Sequence, residues 1–145
     1  MRSTPPGPWA GQPLSAPPHG AEVFRYETTL TGVRAFTAAR GHQAGLPPHR
    51  VRDLVIAISE LAANTLAHTN GPGAVTFWVA DDEVVCQVHD EGQISDPLAG
   101  RVRPAPYAPG GGRGLWLVHQ VCDRVEIRSD HAGTTVRVRM QRGTA

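Results

Sequence analysis

Residues 110–121 read GGGRGLWLVHQV. Three glycines, Arg113 and Gly114 lead directly into Leu115, Trp116, Leu117, Val118 and Val121, an apolar set at helical spacing. A helix start ordinarily carries Ser, Thr, Asp or Asn, whose side chain accepts a hydrogen bond from an N–H of the first turn. Glycine caps nothing and loses the most backbone entropy on folding. Such a stretch is either a flexible loop or a backbone that something must approach closely. In the second case the bound group would use unshielded N–H groups at the positive end of the helix dipole.

The rest of the chain narrows the choice. At 145 residues it forms one domain with room for a real core. Its 14 basic residues are all arginine and stand against 13 Asp and Glu, for a net charge of +1. No basic run marks a nucleic-acid surface, so no direct nucleic-acid contact is expected. No apolar stretch reaches membrane-span length, and the N-terminus lacks the apolar core of a signal peptide; a cytoplasmic location is expected. Cys86 and Cys122 lie far apart inside apolar patterns without CxxC spacing, which reads as two buried free thiols ahead of a disulfide or a metal pair. The absence of lysine excludes a Walker A loop and a eukaryotic-type kinase lysine. Leu115 breaks any GxGxxG pattern. A nucleotide would have to be held by another arrangement.

Residues 1–20 hold six of the 13 prolines and few large apolar side chains, so a mobile tail is expected, with the domain over 21–145. EVFRYE (22–27) suggests a strand. A helix follows, capped by Thr29 or Thr31, carrying Leu30, Val33 and Phe36 and ending near Gly41 or Gly45. LPPHR (46–50) is a breaker. From Val51 to His68, the set Val51, Leu54, Val55, Ile58, Ala62, Thr65 and Leu66 marks the strongest helix. Residues 74–89 alternate around DDE as a hairpin. Residues 90–114 have no periodicity, with four prolines and six glycines, as expected of a functional loop. After the glycine-led helix, RVEIRS and TTVRVRM form a second hairpin around DHAG. The pattern predicts an α+β fold: a two-layer sandwich with a mixed, mostly antiparallel sheet and helices packed on one face.

Three polar groups stand out against these elements. Glu60 and Asn64 are four residues apart and share a helix face, flanked by Ala57, Ala63 and Ala67 where a plain surface would carry long charged chains. Asp90 ends a strand and continues the pleat of Val84, Cys86 and Val88, which sets a carboxylate on an apolar face where it needs donors. The third is the glycine run at the helix start. Alone, each has an ordinary reading: a solvated face, a turn, a loop.

Their order is more specific than any one of them. ELAANTLAH (60–68), DEG (90–92), GGRGLWLV (111–118) and GTTVRV (133–138) resemble the N box, the two glycine boxes and the closing strand of the Bergerat-type ATP-binding domain. That domain is shared by gyrase, the Hsp90 chaperone, histidine kinases and MutL. Within that superfamily the chain most resembles bacterial anti-sigma-factor serine kinases of actinobacterial type, over about Glu22 to Met140.

The resemblance implies a nucleotide held between the 51–68 helix, the sheet and a 93–109 lid. It implies Mg²⁺ on Asn64, Glu60 as general base, and Asp90 accepting from the adenine amino group with Thr135 completing that network. Gly92 would let the base lie close, and Gly112, Arg113, Gly114 and Leu115 would cradle the phosphates. Ile94 stands where the family often has a second glycine. His68 fits the family pattern, and Arg101 and Arg103 read as solvated. The implied function is an ATP- and Mg²⁺-dependent anti-sigma factor that phosphorylates an anti-anti-sigma (STAS) protein on Ser or Thr, with a sigma factor as its other partner and a homodimer left open. The competing reading is a nucleotide-gated binding module without phosphoryl transfer. A histidine kinase fits less well, because no helical segment remains for a phosphoacceptor domain.

Overall fold

In the computed structural model the described residues are 14–68, 72–91 and 113–143, with the side chains of His68 and Arg113 outside the description. Their elements follow as β1 (Glu22–Tyr26), α1 (Thr31–Gln43), α2 (Pro48–His68), β2 (Gly73–Ala80), β3 (Glu83–Asp90), α3 (Arg113–Val121), β4 (Arg124–Asp130) and β5 (Gly133–Gln141). The strands form one sheet in the order β1-β2-β3-β5-β4. The expected α+β sandwich is present, but the expected mixture of pairings is not: all four described pairings are antiparallel. Two are tight hairpins, and the helical connections bring β1 and β5 to their neighbours in opposed directions.

The helix starts differ from expectation for local reasons. Pro48 opens α2 ahead of Val51, because its fixed φ and missing N–H suit the first helical position. The Arg50 and Val51 N–H groups donate to the Pro47 carbonyl at 2.9 and 3.0 Å. At α1 the N-cap position is Leu30, with no side-chain cap, so neither Thr29 nor Thr31 plays that part.

Register sorts the side chains. Val84 pairs with Met140, Cys86 with Val138 and Val88 with Val136, while Val75 and Phe77 oppose Val88 and Cys86 across β2. All eight lie in the core with Leu54, Ile58, Leu61 and Ala62 of α2 and Leu115 and Val118 of α3. Ala57, expected beside the site, is fully buried in that core. Burying each of these larger side chains stabilises the fold by roughly 1.5–3 kcal/mol. At one end of the helix-covered face the apolar rows stop. Tyr26 pairs with Gly73, Asp90 with Thr134, and Thr134 with Ser129, which makes a polar row across the sheet.

Cys86 and Cys122 are free and buried, as expected. Burial is the main cause that pushes both thiols up, Cys122 to about 12, so neither ionises near neutral pH. Among the described residues no helix is long and apolar enough to cross a membrane.

The opposite face of the sheet holds a finding that composition hid. Arg137 is 1% exposed. Its Nε donates to Gln87 Oε1 at 2.9 Å, its two terminal nitrogens donate to Ser15 Oγ and the Ser15 carbonyl at 3.1 and 2.6 Å, and its guanidinium lies 4.8 Å over the Trp78 ring. The tail expected over 1–20 is thus tied to the sheet at Ser15, while residues 1–13 lie outside the described set. Arg137→Ala should remove those bonds and leave Gln87 short of a partner, at about 1–3 kcal/mol. A lower melting temperature and faster proteolysis before residue 21 are expected; an unchanged cleavage pattern would show that Arg137 does not hold the segment.

Candidate functional site

Glu60 and Asn64 sit one turn apart on α2, both half-buried. Helix α3 packs antiparallel against this helix and is pinned at both ends. At its C-terminus an Arg50 guanidinium nitrogen donates to the Val121 carbonyl at 2.9 Å and pairs with Asp53 at 2.7 Å. The other terminal nitrogen lies 3.3 Å from Asp123. At its N-terminus a Cβ on Gly114 would come within 2.6 Å of Glu60 Oε1. That approach gives one of the glycines a purpose: it admits the Glu60 carboxylate against the first turn of α3, where the helix dipole favours negative charge. The first-turn N–H groups, at Arg113, Gly114 and Leu115, have no acceptor within the helix. The Leu115 side chain is buried in the core, so its contribution to a site is its backbone.

Asp90 closes the other end. Its Oδ2 accepts a hydrogen bond from Thr65 Oγ1 at 2.8 Å, much shorter than the 3.4 Å from that hydroxyl to the Leu61 carbonyl. Thr65 is fully buried on α2, directly after Asn64, so one helix carries both the Asn and the group that orients the Asp. Gly133 has φ +127°, and a Cβ there would collide with the Asp90 carbonyl oxygen. Only glycine lets β5 begin so close to Asp90.

Thr135 is a correction. It pairs with His89, and its Oγ1 lies 2.8 Å from His89 Nδ1 on the sheet face away from the helices. The residue beside Asp90 on the helix-covered face is Thr134, whose hydroxyl is 2.8 Å from Ser129 Oγ. Glu60 with Gly114, and Asp90 with Thr65 and Thr134, thus form two groups served by α2, with Asn64 between them in the sequence of that helix. Gly92, Ile94, Arg101, Arg103, Gly112 and the 93–109 segment lie outside the described residues, as do the side chains of Arg113 and His68.

An acidic side chain at a helix N-terminus, a half-buried Asp oriented by a Thr and a helix with glycine in its first turn stand together on an antiparallel sheet, an arrangement suited to an anionic ligand. Residues 25–140 match the histidine kinase-like ATPase domain family, and the chain belongs to it. It is similar to serine-protein kinase RsbW of Bacillus subtilis, 31% identical over 121 residues, covering 74% of this chain and 71% of that protein. RsbW of Bacillus cereus is 27% identical over 116 residues, 72% of each chain, and RsbW of Listeria monocytogenes is 27% identical over 107 residues, 65% and 68%. These relatives set the chain among the serine-protein kinases of its family, which use ATP.

Proposed function

We propose that this protein is an ATP-dependent serine/threonine kinase and anti-sigma factor that works by partner switching in the cytoplasm. It grips a sigma factor in one state and phosphorylates a STAS-type antagonist in the other. The observation that supports this most is the Glu60 carboxylate lying against the α3 N-terminus, which puts a proton acceptor beside an anion-binding helix end.

In the proposed reaction the serine or threonine oxygen attacks the γ-phosphorus, the bond to the β,γ-bridging oxygen breaks, ADP leaves, and Glu60 takes the hydroxyl proton. The first-turn N–H groups of α3 hold phosphate oxygens in line for transfer. Asp90, held by Thr65, accepts from the base amino group, and Thr134 takes the place first expected of Thr135. Among the described residues no cluster of three His, Cys, Asp or Glu exists to hold a metal. A single amide oxygen at Asn64 suits Mg²⁺, which takes few protein ligands and completes its shell with water and phosphate oxygens. Asn64 would hold it through its amide oxygen, and the ion would neutralise charge on the phosphates.

Incubating the protein with labelled ATP, Mg²⁺ and STAS proteins from its own genome tests the reading. Label on a STAS serine or threonine is the expected result. No transfer to any of them, with nucleotide-strengthened grip on a sigma factor, would instead make it a nucleotide-gated binder.

A further inference from the structure

The sheet face away from the helices holds more cations than carboxylates to pair them. Across the middle of β3, β4 and β5 it presents Arg124, Arg128, Arg137 and Arg139 against Glu83 and Glu126. Arg139 takes most of that negative charge: its Nε donates to Glu126 at 2.8 Å and a terminal nitrogen donates to Glu83 at 3.2 Å. Arg124 donates to the second Glu126 oxygen at 3.3 Å. Glu126 lies opposite Arg137 in the β4–β5 register. Yet among the described residues the buried Arg137 donates only to neutral oxygens, those of Gln87 and Ser15. Burial pushes its pKa down, and Arg139 and Arg128 push the same way against Glu126. A buried charge is ordinarily paired with an opposite one.

What sits on this guanidinium is a stretch of the chain's own N-terminal segment. Residues 14–20 form neither helix nor strand, and Ser15 to Gly20 are exposed. Among the described residues, the hydrogen bonds that tie this stretch to the sheet are the two from Arg137 to Ser15, at 3.1 and 2.6 Å. The two terminal nitrogens meet two oxygens of one residue, in the way the same fork takes the two oxygens of a carboxylate. The Trp78 ring, its centroid 4.8 Å from the guanidinium carbon, backs the fork. Neutral acceptors hold a guanidinium about half as strongly as ionised ones, so Ser15 keeps a place that a carboxylate would fill more tightly.

From this geometry we infer that the outer face around Arg137 is a docking surface for an acidic peptide segment of a partner protein. One Asp or Glu carboxylate of that segment replaces Ser15 on the fork, and residues 14–20 are a competitor in cis that lifts away. The occupant is a peptide because a peptide already lies there, and acidic because the face is short of negative charge. A second copy of this chain would set the same excess of arginine against itself. The surface lies across the sheet from α2 and α3, so the inference is independent of the nucleotide reading.

The probes are the hexapeptide PLSAPP, the sequence of residues 13–18, and versions with Asp or Asn in place of its serine, PLDAPP and PLNAPP, all with blocked ends. In calorimetric titration of the full-length protein, PLDAPP should bind at least about tenfold more tightly than PLNAPP or PLSAPP, the worth of one charge-assisted hydrogen bond. The gap should narrow as salt rises. A full-length Ser15→Asp variant supplies the carboxylate in cis. It should melt higher than wild type and bind PLDAPP at least about tenfold more weakly. Equal affinity for the Asp and Asn peptides, or no binding of either at millimolar concentration, would overturn the inference. So would a Ser15→Asp variant that melts no higher than wild type. A wild-type dimer in sedimentation that PLDAPP takes apart would give the face to a second copy and overturn it as well.

Discussion

A Glu60→Gln variant is expected to transfer phosphate roughly 10²–10⁴ times more slowly than wild type, because a positioned general base contributes about that much to rate. The amide has the same shape and fits the same gap against Gly114, where Glu60 Oε1 closes to within 2.6 Å of a Cβ built there. What it lacks is the ability to take the hydroxyl proton. In the proposed site ATP would be held by the α3 backbone, Asn64 and Asp90, so the dissociation constant should stay within about twofold, under half a kcal/mol. Were Glu60 merely a solvated helix residue, the substitution would shift stability by less than about 0.5 kcal/mol and leave the rate untouched. Initial rates with saturating ATP, paired with titration calorimetry, separate the two.

The second large effect is expected at Asp90. Replacing it with Asn removes a charged acceptor worth about 1.5–3 kcal/mol, so ATP affinity should fall roughly 10- to 150-fold. The direction of the side chain matters. Thr65 donates to Asp90 Oδ2 at 2.8 Å, so the Asn amide oxygen is held toward Thr65 and its NH₂ faces the base. That NH₂ opposes an adenine amino group but suits the guanine carbonyl, so GTP should lose far less and the preference for ATP should shrink or reverse. The Thr65 bond survives, which keeps the fold. Parallel titrations with ATP and GTP read the result; an unchanged ratio would remove Asp90 from base recognition.

Much of this geometry was legible in the chain. The α2 stripe and the alternation of Val84, Cys86, Val88 and Asp90 gave the right faces, because helix and strand periods are local. Thr135 was misplaced although the signal was present: Thr134, not Thr135, is in phase with Val136, Val138 and Met140. A strand has period two, so one residue's error moves a side chain to the other face. Thr65 looked like one more member of an apolar stripe, since nothing local says that its hydroxyl meets an Asp 25 residues away. Arg137 sits on an alternating strand, and only its contacts with Ser15, 122 residues distant, reveal a buried clamp. Local patterns are written in sequence; partners that depend on long-range register are not.

The most direct test of the account is the melting temperature of the full-length protein with and without ATP and Mg²⁺. Nucleotide at about 100 times its dissociation constant stabilises a folded state by roughly 2.7 kcal/mol, several degrees for a domain of this size. A rise of that order, with its metal-dependent part lost in Asn64→Ala, is the predicted result. No shift at millimolar ATP and Mg²⁺ would contradict a nucleotide site between α2, α3 and the polar row.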